Sequence, residues 1–219
     1  MKNYYKLPKK IIFCETCVLS NQVPSSIPEF LHKPSREGAK YLQITIDEDG
    51  KNTCSACKVH KIKNKINWEK REKELIKLLD KHRSKKGDYD CIVPGSGGKD
   101  SVYAAHLLKY KYDMNPLTVT WPPILYTDYG HRNFRNWIEV GGFDNISLKP
   151  DGRVQKILTK LSIENLLHPF QTFILGQKNI GARMAAKFKI PLVFYGESDA
   201  EYNNPVSEFT AIRDQKYWL

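Results

Sequence analysis

Apolar residues along this 219-residue chain fall into two patterns, short continuous runs and longer stretches with helical spacing. The continuous runs predict four strands, at 89–94, 115–121, 145–149 and 191–196. The stretches between and around them predict helices at 99–112, 131–140, 153–167 and 170–189. Strands that alternate with helices are typical of a parallel sheet, so the pattern predicts an α/β fold with a doubly wound parallel sheet.

The residues before this sheet divide into two further parts. Apolar positions with helical spacing predict a helix from Trp68 to about His82, which Asn67 can cap. Upstream, the run Tyr41–Ile46 and the dipeptide Asp49-Gly50 predict a strand and the turn of a hairpin. We therefore expect a small module at 1–66, a linker helix region at 67–87 and the main domain at 88–219. Because the chain ends soon after the last predicted strand, we expect that domain to be incomplete at its C-terminus.

Four of the five cysteines form two C-x-x-C pairs, Cys14 with Cys17 and Cys54 with Cys57. A two-residue spacer lets two thiolates bind one ion, and two pairs supply the four sulfurs of a tetrahedral zinc site. The 36 residues between the pairs exceed the usual ribbon spacing. The pattern predicts structural zinc at 1–66, with redox chemistry or an iron–sulfur cluster as alternatives. Cys91 lies on a predicted strand, where a buried apolar role is expected.

A glycine-rich turn joins the first strand of the main domain to its first helix. Residues 96–101 read Ser-Gly-Gly-Lys-Asp-Ser. Backbone N–H groups of such a turn and the helix N-terminus favour phosphate, and Lys99 adds positive charge. Asp100 would repel phosphate unless a cation lay between them, so the turn also predicts magnesium. The spacing excludes a Walker A loop and the dinucleotide-binding fingerprint. A turn without a ligand is the alternative.

Other candidate residues follow from the rule that parallel sheets bind ligands at the carboxyl ends of their strands. Thr120 and Trp121 end the second strand, and Gly196 and Glu197 end the fourth. A core aromatic and a solvated loop acid are the alternatives for Trp121 and Glu197. Two glycines inside the helix at 170–189 indicate close packing or ligand approach. The candidate substrate contacts on that helix are Gln177, Lys178 and Arg183.

Net charge and hydropathy bear on partners and compartment. The formal charge of +11 suits polyanionic partners such as nucleotides, nucleic acid or acidic sugars. No apolar run approaches the roughly 20 residues that a membrane span needs. The basic N-terminus is not followed by an apolar segment of signal-peptide length. We therefore expect a cytoplasmic protein without a membrane segment.

The motifs taken together resemble the N-acetyl sugar amidotransferases, a family within the PP-loop ATP pyrophosphatases. The resemblance spans nearly the whole chain. It is carried by C-x-x-C-V at 14–18, a second C-x-x-C at 54–57, Ile-Val-Pro-Gly-Ser-Gly-Gly-Lys-Asp-Ser at 92–101, Thr-Val-Thr-Trp at 118–121, Asn-Trp-Ile-x-x-Gly-Gly-Phe-Asp at 136–144 and Tyr-Gly-Glu at 195–197. It implies an adenine nucleotide alpha hydrolase-like fold with an N-terminal zinc module.

The resemblance also implies an activity. Members convert an acetamido group of a sugar to an acetamidino group, in pseudaminic acid, legionaminic acid and lipopolysaccharide O-antigen pathways. The implied cofactors are ATP, magnesium and zinc, and the implied partners are a glutaminase and a cyclase-like subunit that channels ammonia. Lys99 and Asp100 take the catalytic role, and Asp100 binds the magnesium. The implied nucleotide-binding residues are Ser96, Gly97, Gly98, Lys99, Asp100, Ser101, Thr120, Trp121 and Gly196.

Two other functions are compatible with parts of the pattern. PP-loop enzymes that thiolate tRNA also combine paired cysteines, a basic balance and adenylylation. They usually need a catalytic cysteine in the ATPase domain, where this chain has only Cys91. A non-enzymatic zinc-ribbon binding module is the third possibility, and the intact loop at 96–101 argues against it. The resemblance implies a sugar and not nucleic acid as the partner, and the residues do not identify the sugar.

Overall fold

The structure, a computed structural model, describes residues 8–23 and 42–197. These residues belong to two compact units, one ending at Trp68 and the other running from Glu69 to Glu197. Two parts of the sequence predictions lie outside the described residues. They are Tyr41, the first residue of the predicted hairpin strand, and 198–219, the last segment of the predicted main domain.

The first unit contains a β-hairpin followed by a helix. Strand β1 (Ile44–Ile46) pairs antiparallel with β2 (Asn52–Cys54). The predicted turn is confirmed: Gly50 adopts φ +75° and donates its N–H to the Asp47 carbonyl at 3.0 Å. Hydrogen bonds from the Thr53 hydroxyl, the Lys51 N–H and Lys61 lower the pKa of Asp47 well below its usual range. Helix α1 (Ser55–Lys63) follows directly, and the apolar pattern did not predict it.

The second unit is organised around a parallel sheet of three strands in the order β3, β4, β5. They are Cys91–Pro94, Pro116–Thr120 and Asn145–Ser147. The strand predicted at 191–196 is reduced to an isolated parallel bridge between Ile92 and Val193. Ile92 donates to Leu192 and accepts from Phe194 there. Since β4 pairs with the other edge, β3 has partners on both sides.

Five helices of this unit lie close to their predicted positions. They are α2 (Trp68–His82), α3 (Lys99–His106), α4 (Asp128–Glu139), α5 (Gly152–Leu166) and α6 (Gln171–Phe188). The helix predicted at 99–112 continues after His106 as a π-helical turn, Leu107–Lys111. Helix α4 begins at Asp128 instead of 131, because the Thr127 hydroxyl caps it by accepting from Gly130 N–H at 3.0 Å.

Helices cover both faces of the sheet. On one face, Cys91 and Val93 pack with apolar side chains of the helices, namely Leu79 of α2, Ala105 of α3, Leu108 of the π-helical turn and Trp137 of α4. On the other face, Ile92 packs with Leu117 and Val119 of β4 and with Ile180 and Met184 of α6. The predicted α/β class and parallel sheet are therefore confirmed. Within the described part of the chain, no helix combines the length and apolarity needed to cross a membrane.

We predict that truncating Leu79 destabilises the second unit strongly, because this α2 side chain is fully buried in the sheet core. Leu79→Ala should lower the free energy of unfolding in urea by about 2–5 kcal/mol. The matched control is Leu78→Ala, on the next residue of the same helix, which is 43% exposed and should change it by less than about 0.5 kcal/mol. Equal effects of the two substitutions would contradict the packing of α2.

Candidate metal centre and nucleotide site

The first cysteine pair lies on a tight turn. Val18 donates its N–H to the Cys14 carbonyl at 2.9 Å, and Cys14 donates to the Leu19 carbonyl at 2.8 Å. Val18 has φ +58°, an uncommon conformation for a β-branched residue. An antiparallel bridge between Phe13 and Ser20 closes the turn. The turn thereby holds Cys14 and Cys17 on one side of a short loop.

The second pair comes from the junction of β2 and α1. Cys54 ends the strand and caps the helix, and its sulfur accepts from the Cys57 N–H at 3.4 Å. The Cys54 N–H in turn points at the Cys14 sulfur, at 3.3 Å. The hairpin and the helix that follows it thus place the second pair against the first, although the two pairs are far apart in sequence.

The four sulfur atoms form one compact cluster, all within 4.8 Å of one another. The Cys14 and Cys57 sulfurs are 3.9 Å apart and the Cys17 and Cys54 sulfurs 3.6 Å apart. Zinc–sulfur bonds of about 2.3 Å in a tetrahedron require sulfurs about 3.8 Å apart. All four are free thiols. The cluster therefore fits a four-coordinate metal ion such as zinc.

The electrostatics of the cluster favour one thiolate. Burial raises the pKa of Cys14, but hydrogen bonds from the backbone N–H groups of Cys54, Cys17 and Thr16 outweigh it and lower this pKa to about 6. Burial, together with the neighbouring sulfurs, raises the pKa of Cys57. Burial is also the main cause of the raised pKa of Cys54. A bound cation would lower the pKa of these thiols, because metal ligation deprotonates a thiol.

The glycine-rich turn at 96–101 leaves the carboxyl end of β3 and enters α3. Gly97 has φ +88° and lies against α4, where an added Cβ would come 2.7 Å from the Phe134 Cα. Conformation and contact both exclude a larger residue. None of the described side chains caps α3, whose N-cap is Gly98. The turn therefore presents an uncapped helix N-terminus at the exposed Gly98, next to the buried Gly97, and free N–H groups at a helix N-terminus favour phosphate.

Lys99 and Asp100 stand together at this helix N-terminus. The Lys99 Nζ lies 2.8 Å from both carboxylate oxygens of Asp100. The lysine side chain is 88% exposed and the carboxylate 43% exposed. An ion pair in water contributes little stability and breaks readily. The Ser101 hydroxyl donates to the Gly98 carbonyl at 3.0 Å.

Gly196 lies beside the same turn. An added Cβ there would come 2.6 Å from the Asp100 carbonyl carbon and the Ser101 nitrogen. The bridge between Val193 and Ile92 brings this segment alongside β3, so the carboxyl ends of both meet at one edge. The structure thus brings Gly196 to the loop at 96–101. Glu197, the next residue, is exposed.

Thr120 and Trp121 lie at the same carboxyl edge, at the end of β4. Thr120 is fully buried, its hydroxyl accepts from the Asn145 side chain at 2.9 Å, and its carbonyl accepts from Leu148 N–H. Trp121 packs against α6 at Gly176, where an added Cβ would overlap the indole ring. The first glycine of α6 is therefore explained by close packing with Trp121.

A pocket of 380 Å³ opens beside Trp121. Its wall is mostly apolar, and its polar members are on α5 and α6. The lining residues are Trp121, Leu148, Pro150, Val154, Gln155, Leu158, Thr172, Leu175, Gly176, Asn179, Ile180 and Arg183. Of the three substrate candidates on α6, the structure places Arg183 at this pocket. Gln177 and Lys178 are outside its described lining, and the Lys178 carbonyl accepts from the Tyr195 hydroxyl at 3.2 Å.

Sequence reasoning missed the polar residues of this pocket. Gln155, Thr172 and Asn179 belong to no motif, and only the packing of α5 on α6 places them together. It also missed the contact of Phe134 with Gly97, which makes α4 a wall of the glycine-rich turn. Neither the grouping of these polar residues nor the contact of Phe134 with Gly97 can be recognised from neighbouring residues in the sequence.

We predict that the purified protein contains about one zinc ion per chain, bound by Cys14, Cys17, Cys54 and Cys57. Cys17→Ser should abolish the zinc content measured by elemental analysis, because three thiolates and a hydroxyl bind zinc more weakly. Cys91→Ala is the control, since this cysteine is buried in the other unit and should leave zinc unchanged. A folded first unit without any metal would contradict the site.

We predict that Gly176→Ala disrupts the pocket, because the new methyl group would overlap Trp121. Unfolding in urea should show a loss of about 1–3 kcal/mol, as expected for an overpacked contact. Gly152→Ala serves as the control on α5, since an added Cβ there meets no atom within 4 Å. The control should be neutral or stabilise the protein by up to about 1 kcal/mol. Equal stability of both variants would overturn this account of Gly176.

No family model matches this chain. The chain is similar to the uncharacterized protein MJ1599 of Methanocaldococcus jannaschii, with 43% identity over 74 residues. These residues make up 34% of this chain and 26% of that relative, so the chain spans about a quarter of the relative's length. The name of the relative states no activity, and the similarity is therefore one of sequence alone.

Proposed function

We propose that the chain cleaves ATP to AMP and pyrophosphate and uses the AMP group to activate the acetamido oxygen of an N-acetylated sugar. The observation that carries the proposal is the turn at 96–101, with Gly97 at φ +88°, an α3 N-terminus that no described side chain caps, and Lys99 and Asp100 beside it. In the PP-loop pyrophosphatases that this motif resembles, such a turn holds the phosphates that leave.

The position of the turn supports a role in phosphate binding. Strand β3 has hydrogen-bonded neighbours on both edges, β4 on one and the segment around Val193 on the other. Gly196 follows this second segment and contacts the turn. Parallel sheets bind ligands at the carboxyl edge, where the order of the strands reverses. We therefore place the phosphates of the nucleotide at the turn, between two backbone segments that meet at this edge. Gly196 is the second of these segments.

Lys99 and Asp100 fit complementary roles around a triphosphate. Their exposed ion pair can separate, so that the ammonium group contacts phosphate and the carboxylate binds a cation. Asp100 supplies the oxygen ligand that magnesium prefers. Bound magnesium would screen the repulsion between this carboxylate and the phosphates. Lys99 and the turn's backbone N–H groups then stabilise the negative charge that accumulates on the departing pyrophosphate.

The pocket beside Trp121 is the site that we assign to the adenine base. It lies at the carboxyl end of β4, the strand next to the one that carries the phosphate turn. Its largely apolar wall and its volume of 380 Å³ suit a planar aromatic base. Thr120 is buried and hydrogen-bonded within the sheet, so its role is to hold Trp121 in place.

The proposed reaction has two steps. The amide oxygen of the sugar attacks the α-phosphorus of ATP, the bond to the β-phosphate oxygen breaks, and pyrophosphate leaves. Ammonia then attacks the former amide carbon, AMP leaves with the oxygen, and loss of a proton gives the amidine. An amide is a poor electrophile because nitrogen donates into the carbonyl, so converting its oxygen into a leaving group is the purpose of the ATP.

The acceptor and the partners are part of the same proposal. Glu197, the residue after Gly196, and Gln177 of α6 are both exposed. We assign Gln177, Lys178, Arg183 and Glu197 to acceptor or phosphate recognition. Ammonia would come from a glutaminase through a cyclase-like subunit, and a nonulosonate or O-antigen precursor would be the acceptor.

The environment of Cys91 argues against a tRNA thiolation enzyme. A sulfur-carrying cysteine needs an accessible thiolate. Cys91 is fully buried on β3, and burial, with Asp90 nearby, raises its pKa far above neutral pH. The other four cysteines form the metal cluster. No cysteine of the chain is therefore placed to carry sulfur.

We predict that ATP is converted to AMP and pyrophosphate in the presence of magnesium, ammonia and an N-acetylated nonulosonate. Chromatography of the spent nucleotide decides between AMP and ADP, and mass spectrometry should show an acetamidino product about one mass unit lighter than its amide. Asp100→Asn should reduce kcat at least about 100-fold by weakening charge compensation at the phosphates.

Asp88→Asn is the matched control, because it removes the same charge from an exposed residue before β3, away from the turn. Its rate should equal that of the wild type. The melting temperature of each variant is measured on the same preparation, since a carboxylate in the first turn of a helix also contributes to stability. ADP as the main product, or a less stable Asp100→Asn protein with normal turnover, would refute the proposed mechanism.

A further inference from the structure

We propose that Tyr195 is a positioning residue of the glycine-rich turn at 96–101, because its hydroxyl group holds the backbone of Gly196 against that turn. The inference rests on the proposed phosphate site and adds a residue that acts on it through Gly196. The Tyr195 hydroxyl donates to the Lys178 carbonyl of α6 at 3.2 Å. The next residue, Gly196, lies against the first turn of α3. Tyr195 thus connects α6 to the segment that confines the turn.

The side chains of this segment alternate between the two faces of the sheet. Leu192 and Phe194 pack in the core with α2, α3 and α4. Val193 packs in the core with α6. The alternation continues, since Tyr195 reaches α6 and Gly196 lies against α3. Anchoring Tyr195 on α6 therefore orients Gly196 toward the turn.

The anchor lies where the hydrogen bonds between this segment and β3 stop. Ile92 donates its N–H to the Leu192 carbonyl at 2.9 Å, and Phe194 donates to the Ile92 carbonyl at 2.8 Å. After Phe194, no further backbone hydrogen bond joins the described part of the segment to β3. The Tyr195 hydroxyl bond follows directly after this point and joins the segment to α6 instead.

Gly181, the second glycine of α6, makes this contact possible. An added Cβ would come 2.8 Å from the Tyr195 hydroxyl oxygen and 2.6 Å from the Pro94 Cγ. A larger residue would therefore collide with the hydroxyl group and with the end of β3. The bare backbone at Gly181 lets the tyrosine reach the Lys178 carbonyl, one turn earlier on the same helix.

Gly196 brings a backbone donor to the turn. None of the described residues accepts a hydrogen bond from its N–H. Together with the uncapped N-terminus of α3, this N–H can donate to the phosphates that we place at the turn. Donors that are already held in position bind an anion more tightly, because no free energy is spent on ordering them. Holding Gly196 in position is the role that we assign to Tyr195.

Isothermal titration calorimetry of the full chain with inorganic pyrophosphate and magnesium tests this role. Tyr195→Phe keeps the aromatic ring and removes only the hydroxyl group, so its Kd for pyrophosphate should rise on the order of 10-fold, as expected for one lost hydrogen bond. In the AMP-forming reaction, the KM for ATP should rise in this variant, whereas the KM for the N-acetylated nonulosonate should not.

Tyr110→Phe is the matched control, because the Tyr110 hydroxyl also donates to a backbone carbonyl, that of Gly141, at 2.9 Å. This variant loses the same kind of hydrogen bond at the other end of α4 from the glycine-rich turn. Its Kd for pyrophosphate should equal that of the wild type. Melting temperature and circular dichroism, measured on the same preparations, report the stability and folding of both variants.

The possible results separate this inference from the proposed function. A folded Tyr195→Phe protein that binds pyrophosphate as tightly as the wild type would overturn the role of Tyr195 and leave the proposed cleavage of ATP intact. Equal losses of affinity in Tyr195→Phe and Tyr110→Phe would also overturn it, since the loss would then follow general stability. A Tyr195→Phe protein that no longer folds has the same consequence, because the hydroxyl would then serve the whole unit. A wild type that binds neither pyrophosphate nor ATP would refute the proposed function together with this inference.

Discussion

The double pairing of β3 is the constraint on which the second unit depends. All four residues of Cys91–Pro94 are buried, and the strand bonds to β4 on one edge and to the segment around Val193 on the other. Side chains of successive residues alternate between the two faces, where they enter separate apolar cores. Because β3 is hydrogen-bonded on both edges and packed on both faces, its register is fixed. The position at which the turn begins is therefore fixed as well.

The glycine-rich turn draws its shape from these surroundings. Phe134 of α4 packs against Gly97, and Gly196 packs against the first turn of α3, so helix and bridge confine the turn from two directions. Preorganised backbone N–H groups stabilise developing charge without reorganising during the reaction. Lys99 and Asp100, by contrast, form an ion pair that is partly or largely exposed to solvent. The turn thus combines a confined backbone with exposed charges.

The first unit depends on a different interaction. Among the residues of this unit that the structure describes, the buried core cluster consists of Cys14, Leu42 and Cys54, a small apolar set. Small folds with little core usually need metal ions or disulfides, and here the four thiols converge without forming disulfides. Metal binding in such a unit contributes directly to folding. We therefore expect a metal ion bound by the cluster to stabilise the first unit.

Local features of this protein were determined by its sequence. The span of α2, the hairpin turn at Asp49-Gly50 and the two cysteine knuckles follow from spacing and from residue conformation, which act over a few neighbouring residues. The parallel sheet followed as well, from the alternation of strands and helices, whereas the order β3, β4, β5 was supplied by the structure. Only the tertiary structure decided that the strand predicted at 191–196 would be a single bridge, that Trp121 would pack on Gly176, and that α5 would turn polar residues toward α6. These features arise from contacts between residues distant in sequence, whose energies no local pattern records.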